Sequence, residues 1–370
     1  MKIDNYEVYD AQLKVMSPIH IGDGLQISKK EFVFSNLNGK TKILVLDIEK
    51  LYSRFIKVGA AATAEFERFL TARENTKTSV SLRSLLFNYK INPHEYVKYE
   101  IASTLENLKE HNINTCLKDA FGYPYIPGSS IKGMIRSAIM SYAIASDNYL
   151  LAEVKNKVTD LLSKYPKKFQ FKTLEREISD LVDKKFSKIK GVKPFSGLIV
   201  GDSSPLSKDS FCLAQKVDLL LNGGENSLNI YKESIGPFTN IQFKLSLDKT
   251  KIGEVDIEYI KNALEFYKNQ MSDYFFKEFG VEYKDEGLVF LGSAGFVTKT
   301  IIYQIFGKDA KKVTWDIFKS TLSDKMFEKH KYYSDKVTPH ACKCTEFDDG
   351  SSDLAFYDVG QAILTFTRVN

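Results

Sequence analysis

Two strand–helix–strand–strand groupings, one in each half of the 370-residue chain, predict an α+β fold of antiparallel sheets, ferredoxin-like (RRM-like) in kind. Three observations support this expectation. Residues 6–15 and 238–247 alternate apolar and polar side chains, as half-buried strands do. Residues 211–234 turn at Asn222-Gly223-Gly224 and read as a long β-hairpin. After Pro127 the apolar period changes to three and four residues, which reads as a helix packed on a core.

The elements follow in order. In 6–15 the inward positions are Val8, Ala11, Leu13 and Val15, and Ser17-Pro18 ends the strand. Ile19-His20-Ile21-Gly22-Asp23-Gly24 reads as a loop. Residues 31–34 and 42–46 flank Asn36-Leu37-Asn38-Gly39 as a hairpin, which leads into helical patterns over much of 48–118. Pro127-Gly128 breaks the chain, Ser129 or Ser130 supplies an N-cap oxygen, and Ile131, Ile135, Ala138, Ile139 and Tyr142 form one stripe running to Ala145. A charged helical insertion spans 147–190, and strands resume at Phe195. Residues 197–202 form a short strand before the hairpin. In 238–247, Ile241, Phe243, Leu245 and Leu247 share a face, and a helix over about 254–279 delivers the chain to a glycine-bearing loop within 287–300. The expected division is an N-terminal half, 1–195, with helical insertions, and a C-terminal half, 196–370, with the hairpin and the glycine loop.

Hydrophobic residues make up 43% of the chain, enough to fill the cores of both halves. No run of 18 apolar residues occurs and the first residues begin no signal segment, so the expected location is cytoplasmic. Four cysteines, Cys116, Cys212, Cys342 and Cys344, give no disulfide framework, in keeping with a reducing compartment. The net charge of +5 is too small to identify a nucleic-acid binder, but it is unevenly spread. Residues 164–193 hold nine lysines and Arg176 against Glu175, Glu177, Asp180 and Asp183, a local +6 suited either to phosphate contacts or to a solvated helical face.

The helix start at Ser129-Ser130-Ile131-Lys132-Gly133-Met134-Ile135-Arg136 places cations where the helix dipole favours anions, which points to a docked phosphate. The order of a Walker A loop is absent. Gly292, Ser293 and Gly295 let the backbone approach a partner, with Phe296 placed to stack and Lys299 to pair with phosphate. His340, Cys342 and Cys344 alternate on one strand face as soft ligands would, but no fourth ligand is nearby, so neither a metal nor a cofactor is expected.

Ser17 to Gly24, Tyr125-Ile126-Pro127-Gly128-Ser129-Ser130-Ile131-Lys132-Gly133, Val200-Gly201-Asp202-Ser203 and the loop at 292–299 together resemble the RAMP superfamily of CRISPR proteins. In order and length the chain is most similar to the fifth-subunit family of Csm-type, type III-A effector complexes, with the likeness spanning about 17–299. The resemblance implies a non-catalytic subunit that caps the 3′ end of guide RNA (crRNA), supports its maturation in antiviral defence, and contacts other Csm-type subunits, especially the repeated backbone subunit. It also implies that the hairpin is a thumb between subunits. The RNA contacts it implies are His20, Gly22, Ser129, Ser130, Lys132, Arg136, Gly292, Ser293, Gly295, Phe296 and Lys299. The alternative is an endoribonuclease of the same superfamily with His20 as general base and Asp23 and Asp202 recruited; five histidines with no helical pair argue against it. A third reading, compatible with the first, has 164–193 recruiting a nuclease that trims the guide.

Overall fold

Twenty-five strands and helices make up the described chain, beginning with β1 (Tyr6–Val15), β2 (Gly22–Ile27), β3 (Phe32–Leu37) and β4 (Lys40–Leu46). Helices α1 (Ile48–Val58), α2 (Ala60–Thr71) and α3 (Leu82–Asn88) precede β5 (Val97–Ser103) and β6 (Ile113–Cys116). Then come α4 (Gly128–Ala145), α5 (Asn148–Lys164), α6 (Phe171–Phe186), β7 (Leu198–Val200), β8 (Phe211–Leu220), β9 (Glu225–Ile235) and β10 (Asn240–Asp248). The chain continues through α7 (Lys249–Ile252), α8 (Ile257–Tyr274), β11 (Leu288–Phe290), α9 (Ile302–Phe306), α10 (Ala310–Thr321) and α11 (Asp324–His330) to β12 (Ala341–Phe347), β13 (Ala355–Asp358) and β14 (Gln361–Arg368). The computed structural model describes residues 5–37, 40–73, 80–103, 105, 108–164, 171–187, 189, 191–292, 300–330, 336–337, 341–347, 355–358 and 360–369.

β1 occupies the centre of a five-stranded antiparallel sheet in the order β11-β14-β1-β10-β7. Tyr6 lies opposite Asp248 and Lys14 opposite Asn240 on one side, while Tyr9 faces Arg368 and Val15 faces Ala362 on the other. In chain order β1, α4, β7, β10, α8 and β14 run strand–helix–strand–strand–helix–strand, the ferredoxin-like unit, with β11 added at the edge. Tyr9, Ala11, Leu13 and Val15 face its core, together with Ile241, Phe243, Leu245 and Leu247 from β10 and Ile131, Ile135, Ala138 and Ile139 from α4. Val8 is only half-buried, because Tyr9 rather than Val8 shares the two-residue phase of Ala11, Leu13 and Val15. Burying a large apolar side chain is worth about 1.5–3 kcal/mol, so a one-residue slip that traded Leu13 for Lys14 is strongly disfavoured.

A nine-stranded sheet holds the rest, along the path β2-β6-β9-β8-β5-β4-β3, with β12 joined to β8 and β13 to β12. The β8–β9 hairpin forms as expected, Phe211 opposite Ile235 and Leu219 opposite Glu225, although its returning strand begins earlier, at Glu225. Helices α1 to α3 cover the β3–β4 side with a second core of Val33, Leu44, Leu51, Phe55, Phe66 and Leu85, in which the Phe55 and Phe66 rings stack at 4.3 Å.

The structure changes two sequence expectations. Gly22-Asp23-Gly24, expected within the loop 19–24, open a strand over 22–27, because those residues pair with β6. The helical reading of 48–118 gives way after Asn88 to β5 and β6; Tyr99, Ile101 and Ser103 line one side of β5, and tertiary pairing with β4 and β8 decides its state. Both sheets take strands from either side of residue 195.

Candidate nucleic-acid interface

The start of α4 is bolted to the end of β7. A Cβ on Gly128 would fall 2.2 Å from the Val200 carbonyl oxygen, so only glycine allows this approach. Ser203 N donates to the Ile126 carbonyl and Ile126 N to Ser203 Oγ, both at 2.9 Å. The cap itself is Asp202, whose Oδ1 accepts from Gly128 N at 2.7 Å; neither Ser129 nor Ser130 fills that role, and the residue preceding the helix is Pro127. A carboxylate of the chain's own thus already answers part of the helix dipole.

Two cations of α4 then diverge. Lys132 is half-buried and has no carboxylate partner among the described residues; burial first, and the Arg136 charge second, hold its ammonium below the usual lysine range. Arg136 turns instead to α6. Its guanidinium pairs with Asp183 at 3.1 Å, donates to Ser179 Oγ and lies 5.2 Å from the Phe195 ring centre. Its Nη2 is thereby engaged inside the protein, while Nε is buried without a hydrogen-bond partner.

At the same end of the five-stranded sheet three segments are laced together. Met16 N and Ser17 N donate to the Gln361 carbonyl, Gln361 N to Ser17 Oγ, Gly360 N to the Pro18 carbonyl, and Leu291 N to the Gly360 carbonyl. Gly292, at φ +94°, follows directly, and a Cβ there would sit 3.3 Å from the His20 carbonyl oxygen. The start of the glycine loop therefore meets His20. Ser293, Gly295, Phe296 and Lys299 lie outside the described residues, as does His340.

His20 is pinned. Its Nδ1 donates to the Glu233 carbonyl at 2.7 Å, and a Cβ on Gly22 would stand 2.9 Å from its Nε2, so glycine makes room for the ring. Burial, opposed by the Glu233 bond and aided by the Lys232 charge, lowers its pKa and keeps the imidazole neutral at pH 7. Glu233 is itself anchored. Its carboxylate is fully buried, accepts from Cys116 N at 2.8 Å and pairs with Lys118, whose ammonium lies 5.2 Å and 5.1 Å from the Tyr99 and Phe211 ring centres. Asp23 serves the turn, accepting from Leu25 N at 2.9 Å and from the Thr115 hydroxyl.

Beside His20 lies a group that the linear sequence hid. Lys232 of β9 is opposite Ala214, Lys216 of β8 is opposite Thr345, and Lys343 of β12 is opposite Asp218. Lys216 pairs with Asp218 at 3.0 Å; Lys343, opposite the same carboxylate, forms no ion pair with it, and Lys232 has no carboxylate partner among the described residues. Burial, then the charges of Lys343 and Lys216, lowers the Lys232 pKa. Lys343 is open to solvent, yet the protein around it and then Lys216, opposed by Asp218, hold its ammonium below the usual range. Like charges gathered by three strands raise the free energy of the empty surface and fit a polyanion.

The basic run is less available. Lys164 pairs with Asp160, Arg176 with Glu177, Lys184 with Glu153 and Lys185 with Asp147, so its described part reads as a helical pair carrying surface ion pairs of little energetic weight. Cys342 and Cys344 are buried in the hydrophobic core. Among the described residues no three or more His, Cys, Asp or Glu side chains form a group able to hold a metal.

The RAMP superfamily model matches residues 12–296. The chain belongs to the RAMP superfamily. This RAMP protein is 28% identical over 377 residues to the CRISPR system Cms protein Csm5 of Streptococcus thermophilus, covering 97% of each chain. It is 23% identical to the protein of that name from Mycobacterium tuberculosis H37Rv, covering 97% of this chain and 98% of the other. Among solved structures it resembles a chain of a Csm-crRNA-target RNA ternary complex of a type III-A system, with TM-score 0.62, 19% identity, and coverage of 96% of this chain and all of that one. The T. onnurineus Csm5 crystal structure aligns with TM-score 0.58 and 18% identity over 82% of this RAMP protein and 96% of that chain. The two structural likenesses bear on the fold.

Proposed function

We propose that this chain is the Csm5-type subunit of a type III-A effector complex, a non-catalytic RNA-binding protein that closes the 3′ end of the guide RNA and supports its maturation. The observation that carries the reading is the lysine cluster at 216, 232 and 343, set against His20 and the start of the glycine loop, in a chain whose full-length relatives bear the Csm5 name. Unpaired ammoniums on a sheet face bind phosphates without reading bases, which suits a subunit that must accept any guide sequence. His20, Gly22, Ser129, Ser130, Lys132 and the loop residues Gly292, Ser293, Gly295, Phe296 and Lys299 are the further RNA contacts of this reading. The partners are guide RNA and the other Csm-type subunits, above all the repeated backbone subunit, with the 211–235 hairpin as the inserting thumb. The work is done in the cytoplasm, and a trimming nuclease is a further partner of the assembled complex.

Cleavage by His20 has less support. Its single described hydrogen bond goes to a main-chain carbonyl, and Asp23 and Asp202 are occupied by the turn and the α4 cap. The test is to tag the chain in its native cell, purify it gently, identify companions by mass spectrometry and sequence the 3′ ends of bound RNA. Csm-type subunits with short guides of uniform 3′ end are expected, and Lys232→Glu with Lys343→Glu should release RNA. Recovery of the chain alone, with RNA cut by the pure protein and spared by His20→Ala, would replace this reading with the nuclease.

A further inference from the structure

Ahead of α4 the chain makes a tight turn whose construction exceeds what a connection needs. Asp119 N donates to the Tyr123 carbonyl at 2.9 Å and Gly122 N to the Asp119 carbonyl at 3.1 Å. Asp119 Oδ1 then accepts from both Phe121 N and Tyr123 N at 2.9 Å. Four hydrogen bonds thus fix five residues, and Gly122 takes the left-handed φ of +80° that the turn requires. What this rigid turn displays is apolar. The Phe121 side chain is among the most exposed large hydrophobic groups of the chain, at 79%, and Tyr123 is exposed beside it.

A cation completes the arrangement. Lys208 Nζ lies 4.9 Å from the Tyr123 ring centre, and a Cβ on Gly122 would come within 3.4 Å of it, so the absence of a side chain there lets the ammonium lie against the turn. Lys208 has no carboxylate partner among the described residues, because Asp209 faces the Ser207 hydroxyl at 3.2 Å and the Asp119 carboxylate serves the turn. Leu206 N donates to the Pro124 carbonyl at 2.8 Å, which ties the Lys208 segment to the base of the turn and places both at the end of β7 where α4 begins.

We propose that the 119–123 turn is a base-stacking platform for single-stranded RNA, with the Phe121 ring taking the face of an unpaired base and Lys208, seated on Tyr123, taking the adjoining phosphate. This rests on the RNA-binding reading and adds a contact outside the lysine cluster and the glycine loop. Two exposed rings beside the Lys208 ammonium make too small an apolar patch for a stable protein interface, while one flat ring suffices for a base of any identity. The hydrogen-bonded turn is already ordered, so stacking incurs little further loss of conformational entropy.

The experiment uses the full chain and a short single-stranded RNA carrying 2-aminopurine, whose emission is quenched on stacking. Phe121→Ala should weaken binding about tenfold and abolish the quenching, with the salt dependence unchanged. Phe121→Trp should keep both; Phe121→Leu, apolar but not flat, should behave as alanine does. If Phe121→Ala binds and quenches as the unaltered chain does while Lys232→Glu loses affinity, the platform is overturned and the RNA reading stands. If Phe121→Ala keeps RNA but loses a co-purifying subunit, the turn is a protein contact and the proposal is overturned. Absence of RNA binding by the unaltered chain would overturn both.

Discussion

The lysine cluster makes a quantitative demand on salt dependence. Replacing Lys232 and Lys343 with alanine removes the two ammoniums that form no ion pair among the described residues, while Lys216 keeps its bond to Asp218. If each holds one phosphate of single-stranded RNA, each contributes about 0.7 to the slope of log affinity against log salt, so the double variant should lose about 1.4 from that slope. Between about 50 and 200 mM KCl the unaltered chain should therefore lose roughly sevenfold more affinity than the variant. Fluorescence anisotropy of a labelled single strand, titrated at several salt concentrations, measures this directly. Lys232→Arg with Lys343→Arg should preserve the slope, because charge rather than shape is at issue. A slope that does not move in the alanine variant would refute the reasoning, even if affinity fell, because the cluster would then act through folding rather than through phosphate.

The remaining expectations concern the framework. Asp202→Ala removes the cap of α4 and should cost about 0.5–2 kcal/mol, seen as a lower denaturation midpoint with unchanged slope; Asp202→Asn should recover most of it, and equal losses for both would contradict the capping role. Lys118→Met leaves the Glu233 carboxylate buried and unpaired at a cost of about 3–5 kcal/mol, whereas Lys118→Met with Glu233→Gln should regain much of that in a double-mutant cycle. Burial lowers the His20 pKa, so below the unfolded value of about 6.5 the unfolded chain takes up the proton more readily than the folded one. Stability should accordingly fall as pH drops from about 7.5 through the lower folded value, and His20→Asn should flatten that part of the pH profile of the melting temperature; an unaltered profile would show that His20 is not the group responsible.

The parts of this fold that were legible in the sequence are those decided within a few residues. β1 and β10 keep a period of two because one face of each is buried, α4 and α8 keep a helical period for the same reason, and the hairpin is marked by its turn at Asn222-Gly223-Gly224. What escaped depends on pairing at a distance. β5 and β6 are short and owe their state to neighbours in the nine-stranded sheet, and the cap of α4 comes from Asp202, beyond an inserted helical pair, rather than from the adjacent serines. The site divides in the same way. Lys132, His20 and Gly22 stood out by position in the chain, but whether a cation is free is a tertiary fact, and Asp183 engages Arg136 while Lys232 and Lys343 come forward. Each of those two lysines looks like an ordinary outward residue of a strand, and only the register of β8, β9 and β12 brings them together.

The central place of β1 has a consequence in time. Tyr6 leaves the ribosome 242 residues ahead of its partner Asp248, and the other flank, β14, begins only at Gln361. At a synthesis rate of about 5–20 residues per second, β1 waits on the order of 12–50 seconds with both edges open. Leu13 and Val15, which end fully buried, are exposed throughout that interval. The ferredoxin-like unit is thus closed only when β14 has been made, and because His20 and the segment ending in Gly292 are joined through Gly360, that end of the sheet is assembled only then. A nascent chain of this protein should hold chaperones on the β1 edges until β10 and β14 have emerged.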